Sequence, residues 1–240
     1  VGLTGIAKRP DMNGYDYEYL KRTATGAAIG MAQELDLPSP KNITCVKPSG
    51  TLSKIMDTTE GVHKPLGKYI FNNVQFSKHD PVVDKLRQAN YRVINHPVDD
   101  SGVLVTFPVK WDGVVFDEVN GKEVNIESAI VQLERYKLLQ TSWNQQNTSV
   151  TISYDPTEVP GIIDWLLDNW DCYVGVSFIY RTDPTMTAKD LGYLYLPQEV
   201  VTEQDYNDYV KVLSEVDLNN TNSFDEIVGD DCSTGACPIK

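Results

Sequence analysis

The sequence predicts a mixed α/β chain forming part of a closed α/β barrel, and three observations predict it. Short apolar runs with strand character alternate with segments of helical period, the element type changing about every ten to fifteen residues. The 240 residues are 41% hydrophobic and 10% aromatic, enough apolar material for a core. No internal repeat is evident, so the alternation is not that of a solenoid.

Each element has its own signal. Val1–Ala7 reads as the edge of a buried strand. From Tyr15 to Leu35 the residues Tyr17, Leu20, Ala24, Ala27, Ala28, Met31 and Leu35 recur at helical spacing, and Pro38 and Pro40 stop the helix. Asn42–Lys47 reads as a short buried strand, and Pro48-Ser49-Gly50-Thr51-Leu52-Ser53 follows with turn and cap chemistry. Tyr69–Phe76 predicts a strand, Pro81–Gln88 a short helix opened by Pro81, and Tyr91–Asn95 and Val103–Val109 two further strands. Val114–Val119 and Lys122–Asn125 flank Asn120-Gly121, a dipeptide suited to a two-residue hairpin. Ile126, Ile130, Leu133, Lys137 and Gln140 lie on one face of a second long helix, and Thr148–Tyr154 alternates as a strand does. Pro156–Trp170 is a strongly apolar helix, Tyr173–Phe178 a strand buried on both faces, and Val201–Ser214 a last helix. After about Val216 the residues turn small and polar, which predicts a flexible tail over 216–240 beyond a domain over 1–215, with a hairpin insertion near 114–125.

Charge and composition exclude several functions. A formal net charge of −13 with no Lys/Arg stripe argues against a nucleic-acid partner. No apolar run reaches the roughly eighteen residues of a membrane helix. Lys8, Arg9, Asp11, Asp16 and Glu18 stand where a signal peptide would be apolar, so the expected location is the cytoplasm, with no membrane partner. The opening on Val1, within an apolar strand, predicts that a further segment precedes it in the working protein, covalently or as a separate chain.

Two constellations carry chemistry. At Pro48–Ser53 a strand ends, Gly50 allows close backbone approach, and hydroxyls meet a helix amino-terminus, a combination that favours an anion. The same residues also make an ordinary helix cap. Cys232-Ser233-Thr234-Gly235-Ala236-Cys237 places two thiols where Gly and Ala let the loop close into a disulfide, and a flexible tail would let them reach a second disulfide. A metal half-site or a chance spacing are the competing readings, and the neighbouring sequence offers no second Cys/His pair for a metal. Cys45 and Cys172 read as small core residues. His63 falls in a loop expected near the anion site, while His79 and His96 sit in polar connections, and none has a metal-site partner. The tyrosines, Tyr180, Tyr193 and Tyr195 among them, read as packing residues.

Taken together, Val46–Ser53, Glu60-Gly61-Val62-His63-Lys64-Pro65, Asp80–Asp84, Val103–Lys110 and Cys232–Lys240 resemble the monomeric, triphosphate-type class II ribonucleotide reductases over nearly the whole chain. The resemblance implies the carboxy-terminal part of a ten-stranded α/β barrel, incomplete on its own. It implies adenosylcobalamin as the cofactor of the complete enzyme, a ribonucleotide as substrate and thioredoxin or a similar protein as reductant. By the same resemblance Pro48, Ser49, Gly50, Thr51, Leu52 and Ser53 hold the substrate phosphates, and Cys232 and Cys237 re-reduce the active-site disulfide. The family's finger loop reads Asn-Pro-Cys, and no such run occurs here, so the thiyl-radical cysteine is expected on an amino-terminal reductase segment and this chain alone is expected to be inactive. The alternatives are a non-catalytic barrel-completing or redox-sensing partner subunit, and the equivalent segment of a class I reductase.

Overall fold

The computed structural model describes residues 1–218. In chain order they form strand β1 (Gly2–Leu3), helix α1 (Gly14–Glu34), β2 (Cys45–Val46), α2 (Gly50–Ile55), β3 (Tyr69–Ser77), α3 (Pro81–Gln88), β4 (Val93–Asn95) and β5 (Gly102–Lys110). There follow β6 (Asp117–Val119), β7 (Lys122–Val124), α4 (Ala129–Ser142), β8 (Thr151–Tyr154), α5 (Val159–Asp168), β9 (Ser177–Tyr180), β10 (Gln198–Val200) and α6 (Glu203–Val212). These residues divide into two compact units, one of Val1–Lys68 with Trp111–Thr185, the other of Tyr69–Lys110 with the chain from Met186 onward.

The first unit holds the parallel strand pairs. β1 pairs with β2 and β8 with β9, both parallel, and β6 and β7 form the hairpin. Its turn uses positive φ at Asn120 (52°) and Gly121 (74°), as the Asn-Gly dipeptide predicts. Helix α1 starts at a reciprocal cap in which the Asn13 side chain accepts from the Tyr15 N–H and the Asp16 carboxylate accepts from the Asn13 N–H. The core gathers around α4, where Ala129, Leu133, Tyr136 and Leu139 are buried against Ile6, Tyr17, Val46, Val150, Ile152, Ile162 and Trp165. Gln132 fixes β8 to this helix: its amide oxygen accepts from the Ser153 N–H (3.0 Å) and its amide nitrogen donates to the Ser153 carbonyl (3.0 Å).

The second unit is an antiparallel sheet, β10-β3-β5-β4, with Tyr69 opposite Lys110 and Ser77 opposite Gly102 in the central pair. Pro108 is tolerated in a central strand because β4 ends opposite Val103–Val105, so the side of β5 where Pro108 lacks a donor has no partner strand there. Helix α3 runs over Pro81–Gln88 as expected, with the Asp80 side chain accepting from the Val82 N–H (2.9 Å). Helix α6 is anchored by Tyr209, whose ring meets Phe71 edge-on at 5.1 Å and whose hydroxyl donates to the Thr106 carbonyl (2.9 Å).

Several expectations need correction. The strand expected over Tyr173–Phe178 lies at Ser177–Tyr180, paired to β8, and is exposed throughout. The buried face of α4 is Ala129, Leu133, Tyr136, Leu139 and Ser142, not the row through Ile130, Lys137 and Gln140. Helix α1 buries Tyr17 and Ala32 and leaves Met31 and Leu35 exposed. The strand expected over Asn42–Lys47 shrinks to Cys45–Val46, and Cys45 and Cys172 are half-buried, not core. The absence of a closed barrel among the described residues, whose strands form separate pairs and one antiparallel sheet, needs no correction, since a barrel incomplete on its own is expected.

Candidate functional site

Pro48–Ser53 is laid out as strand, loop and helix start. β2 ends at Val46, and the Lys47 N–H still donates to the Leu3 carbonyl (2.9 Å), so β1 holds the entry to the loop. Ser49 then takes a left-handed conformation (φ 54°, ψ 39°) as the residue before α2, with no hydrogen bond from its side chain to the helix. The backbone thus turns into the helix without the ordinary serine cap, and the first N–H groups of α2 have no acceptor within the helix. Gly50 is exposed, and a Cβ there would meet nothing within 4 Å, so the approach to these amides is open. Ser53 is fully buried, its hydroxyl donating to the Gly50 carbonyl (3.3 Å). Leu52 points its apolar side chain to solvent.

Thr59–Lys64 borders this loop. Gly61 has φ 51°, and a Cβ on it would lie 3.1 Å from the Lys47 carbonyl oxygen and 3.4 Å from the Pro48 Cα. The Lys54 ammonium reaches the Glu60 carboxylate and also donates to the Gly50 carbonyl (3.2 Å). His63 is tied into the fold: its Nε2 accepts from the Thr151 N–H (3.1 Å), and burial pushes its imidazole below the ordinary histidine value. The sequence places His63 near the anion loop, and the structure adds an anchor on β8 that no local pattern signals. Glu60 meets the Lys54 ammonium and Gly61 the loop backbone; the one sequence signal there is the glycine itself, which takes a positive φ readily.

Two cavities of the first unit have Lys64 in their lining. The larger, about 450 Å³, is lined by Ile6, Met12, Tyr17, Phe116, Val131 and Leu138 with Lys64, Glu127 and Arg135 along its wall. The smaller, about 160 Å³, is lined by Val62, His63, Leu66, Gln132, Val150 and Thr151. Neither is lined by Pro48–Ser53, so the structure does not bring the loop and the cavities into one site. Among the described residues, no cluster of His, Cys, Asp and Glu could hold a metal, and no helix is long and apolar enough to cross a membrane. Cys232 and Cys237 lie outside the described residues.

No protein-family model matches the chain. It is 27% identical over 211 residues to a probable adenosylcobalamin-dependent ribonucleoside-triphosphate reductase of Dictyostelium discoideum, covering 85% of this chain and 26% of that protein. It is 28% identical over 207 residues to the adenosylcobalamin-dependent ribonucleoside-triphosphate reductase of Lactobacillus delbrueckii subsp. bulgaricus, covering 82% and 26%. The enzyme of the same name from Lactobacillus gasseri is 25% identical over 241 residues, covering 94% and 31%. In fold the chain is similar to a crystal structure of B12-dependent (class II) ribonucleotide reductase, with a TM-score of 0.71 and 20% identity over 84% of this chain and 27% of that one. The chain therefore spans about a quarter of the length of these relatives, and its fold is a part of the class II reductase fold, as the motifs imply.

Proposed function

We propose that this relative of the adenosylcobalamin-dependent ribonucleoside-triphosphate reductases is the carboxy-terminal part of such an enzyme, supplying the substrate-phosphate loop and the dithiol that renews the active site. The observation that carries the reading is the likeness to these reductases over more than four-fifths of the chain, with the Cys45–Ile55 strand, left-handed turn and helix inside it. The amides at the start of α2, open to solvent above Gly50, offer donors to a phosphate. The helix is a single short one, so the donors contribute more than any helix dipole.

Cys232 and Cys237 have the second duty. One thiolate attacks a sulfur of the oxidised active-site disulfide to form a mixed disulfide, and the other displaces it. The active site regains two thiols, and the tail becomes a Cys232–Cys237 disulfide. Thioredoxin or a similar dithiol then supplies the two electrons and two protons that restore the pair. The reaction occurs in the cytoplasm, where such reductants are kept reduced.

Neither of the two cavities is a cradle for a corrinoid. The larger cavity, about 450 Å³, is within the range of an ordinary small ligand, roughly 300–1,000 Å³, whereas a corrin ring with its nucleotide arm is much larger. His63, half-buried, has its Nε2 occupied by a backbone N–H. Adenosylcobalamin, which supplies radical chemistry when bound, is accordingly assigned to the complete enzyme, and no step is derived through it from these residues.

The test is a pair of variants, Cys232→Ser and Cys237→Ser, in the complete reductase. Each should allow a single turnover of ribonucleoside triphosphate and stop multiple turnover with thioredoxin. Full thioredoxin-driven turnover in both variants would remove the dithiol assignment.

A further inference from the structure

We propose that a hydrogen-bonded strap joining Thr4–Ile6 to Thr59–Gly61 sets the conformation of the Lys47–Ser53 loop, with Thr4 as its positioning residue. The proposal rests on the reading of that loop as the phosphate-binding element, and deepens it by naming what holds the loop in shape.

The Thr4 hydroxyl uses both its capacities: it donates to the Thr59 carbonyl (3.1 Å) and accepts from the Gly61 N–H (2.9 Å). The Gly5 N–H donates to the same Thr59 carbonyl (2.9 Å) and the Ile6 N–H to the Gly61 carbonyl (3.2 Å), so Thr59 and Gly61 are gripped from one side by the segment that follows β1. β1 itself holds the loop, because the Leu3 carbonyl accepts from the Lys47 N–H one residue before Thr4.

The strap in turn meets the loop at its entry and its exit. At the entry, Gly61 is so close to Lys47 and Pro48 that a Cβ would press on backbone atoms at 3.1 and 3.4 Å. At the exit, Lys54 pairs with Glu60, and the Thr58 N–H donates to the Ser53 carbonyl (2.8 Å). Ser53, the last loop residue, is fully buried. A short helix opened by a left-handed serine has little order of its own, so its shape follows from these contacts. Thr4 is the one side chain that bonds both Thr59 and Gly61 among these contacts.

The experiment uses the 240-residue chain, with Thr4→Val to remove the hydroxyl at constant shape and Thr4→Ser to keep it. Amide hydrogen exchange is followed at Gly61, Ser53 and Thr58, with Trp143 in the core as reference, and the chain is titrated with inorganic tripolyphosphate. Loss of two hydrogen bonds predicts exchange roughly tenfold faster at Gly61, Ser53 and Thr58 in Thr4→Val, with Trp143 unchanged. Tripolyphosphate affinity falls by a similar factor, and Thr4→Ser restores both. Faster exchange at Gly61 alone, with Ser53, Thr58 and the titration as in the wild type, would overturn the proposal. If the wild type gives no response to tripolyphosphate while Ser53 exchange still follows Thr4, the strap stands and the phosphate reading falls. Should Thr4→Val not fold, Glu60→Gln cuts the exit contact; faster Ser53 exchange supports the strap, and unchanged exchange overturns it.

Discussion

Replacing Gly61 by alanine puts a side chain where the structure has a backbone contact. Two costs arise. An L-residue at φ 51° costs about 1–2 kcal/mol relative to glycine, from the left-handed backbone alone. The new Cβ also lies 3.1 Å from the Lys47 carbonyl oxygen, a fixed backbone atom, so the Lys47–Pro48 segment must move by a few tenths of an ångström. Gly113 is the control: its φ is 77°, and a Cβ there would meet nothing within 4 Å, so Gly113→Ala carries the backbone cost only. Gly61→Ala is expected to lose about 2–3 kcal/mol and Gly113→Ala about 1–2 kcal/mol. The assay is urea denaturation followed by tryptophan fluorescence, which reports on the first unit because all four tryptophans, Trp111, Trp143, Trp165 and Trp170, lie in it. Equal losses in the two variants, or a larger one at Gly113, would refute the contact between Gly61 and the loop.

Other perturbations read out different parts of the structure. Gly50→Ala adds a Cβ with nothing within 4 Å at a helical position, so stability should stay within about 0.5 kcal/mol or rise, while tripolyphosphate affinity falls; unchanged affinity would argue against an anion over α2. Leu133→Ala opens a cavity at a fully buried position of α4 and should cost about 3 kcal/mol in the same urea assay; a loss under 1 kcal/mol would contradict the core assignment. His63 has its folded-state value depressed by burial, so the unfolded chain takes up its proton first as pH falls. Its contribution is complete above the ordinary value of 6.5 and is lost as pH drops through the depressed folded value. His63→Gln should flatten that dependence in urea midpoints measured from pH 7 downward, and an identical slope in variant and wild type would show that His63 is not the group responsible.

Much of the fold is legible in local signals. The α3 bounds follow from Asp80-Pro81, and the β6–β7 turn from Asn120-Gly121, because a cap and a left-handed turn depend on the few residues that make them. Helix faces are less legible. Helix α4 is apolar or amphipathic on most sides, and which row is buried depends on β8 and α5, through Gln132 with Ser153 and Trp165 with Glu134. The segment ending in the exposed β9 reads as buried in sequence because Tyr173, Val174, Val176 and Phe178 are apolar, and apolarity alone does not say what covers a strand. At the candidate site the loop is visible as Pro-Ser-Gly-Thr, but its support is not. Thr4 is 57 residues from Gly61 and its hydroxyl acts only once β1 and β2 have paired. The left-handed turn at Ser49 likewise comes from tertiary context, since serine seldom takes that conformation unaided.

Reconstitution tests whether the chain is one part of an adenosylcobalamin-dependent reductase. The chain is mixed with a candidate amino-terminal reductase segment bearing an Asn-Pro-Cys loop, a ribonucleoside triphosphate and thioredoxin, and deoxyribonucleotide is measured with and without adenosylcobalamin. Product is expected only when both segments and the cofactor are present. Product that ignores adenosylcobalamin and requires a metal-radical subunit, or no product in any mixture, would contradict it.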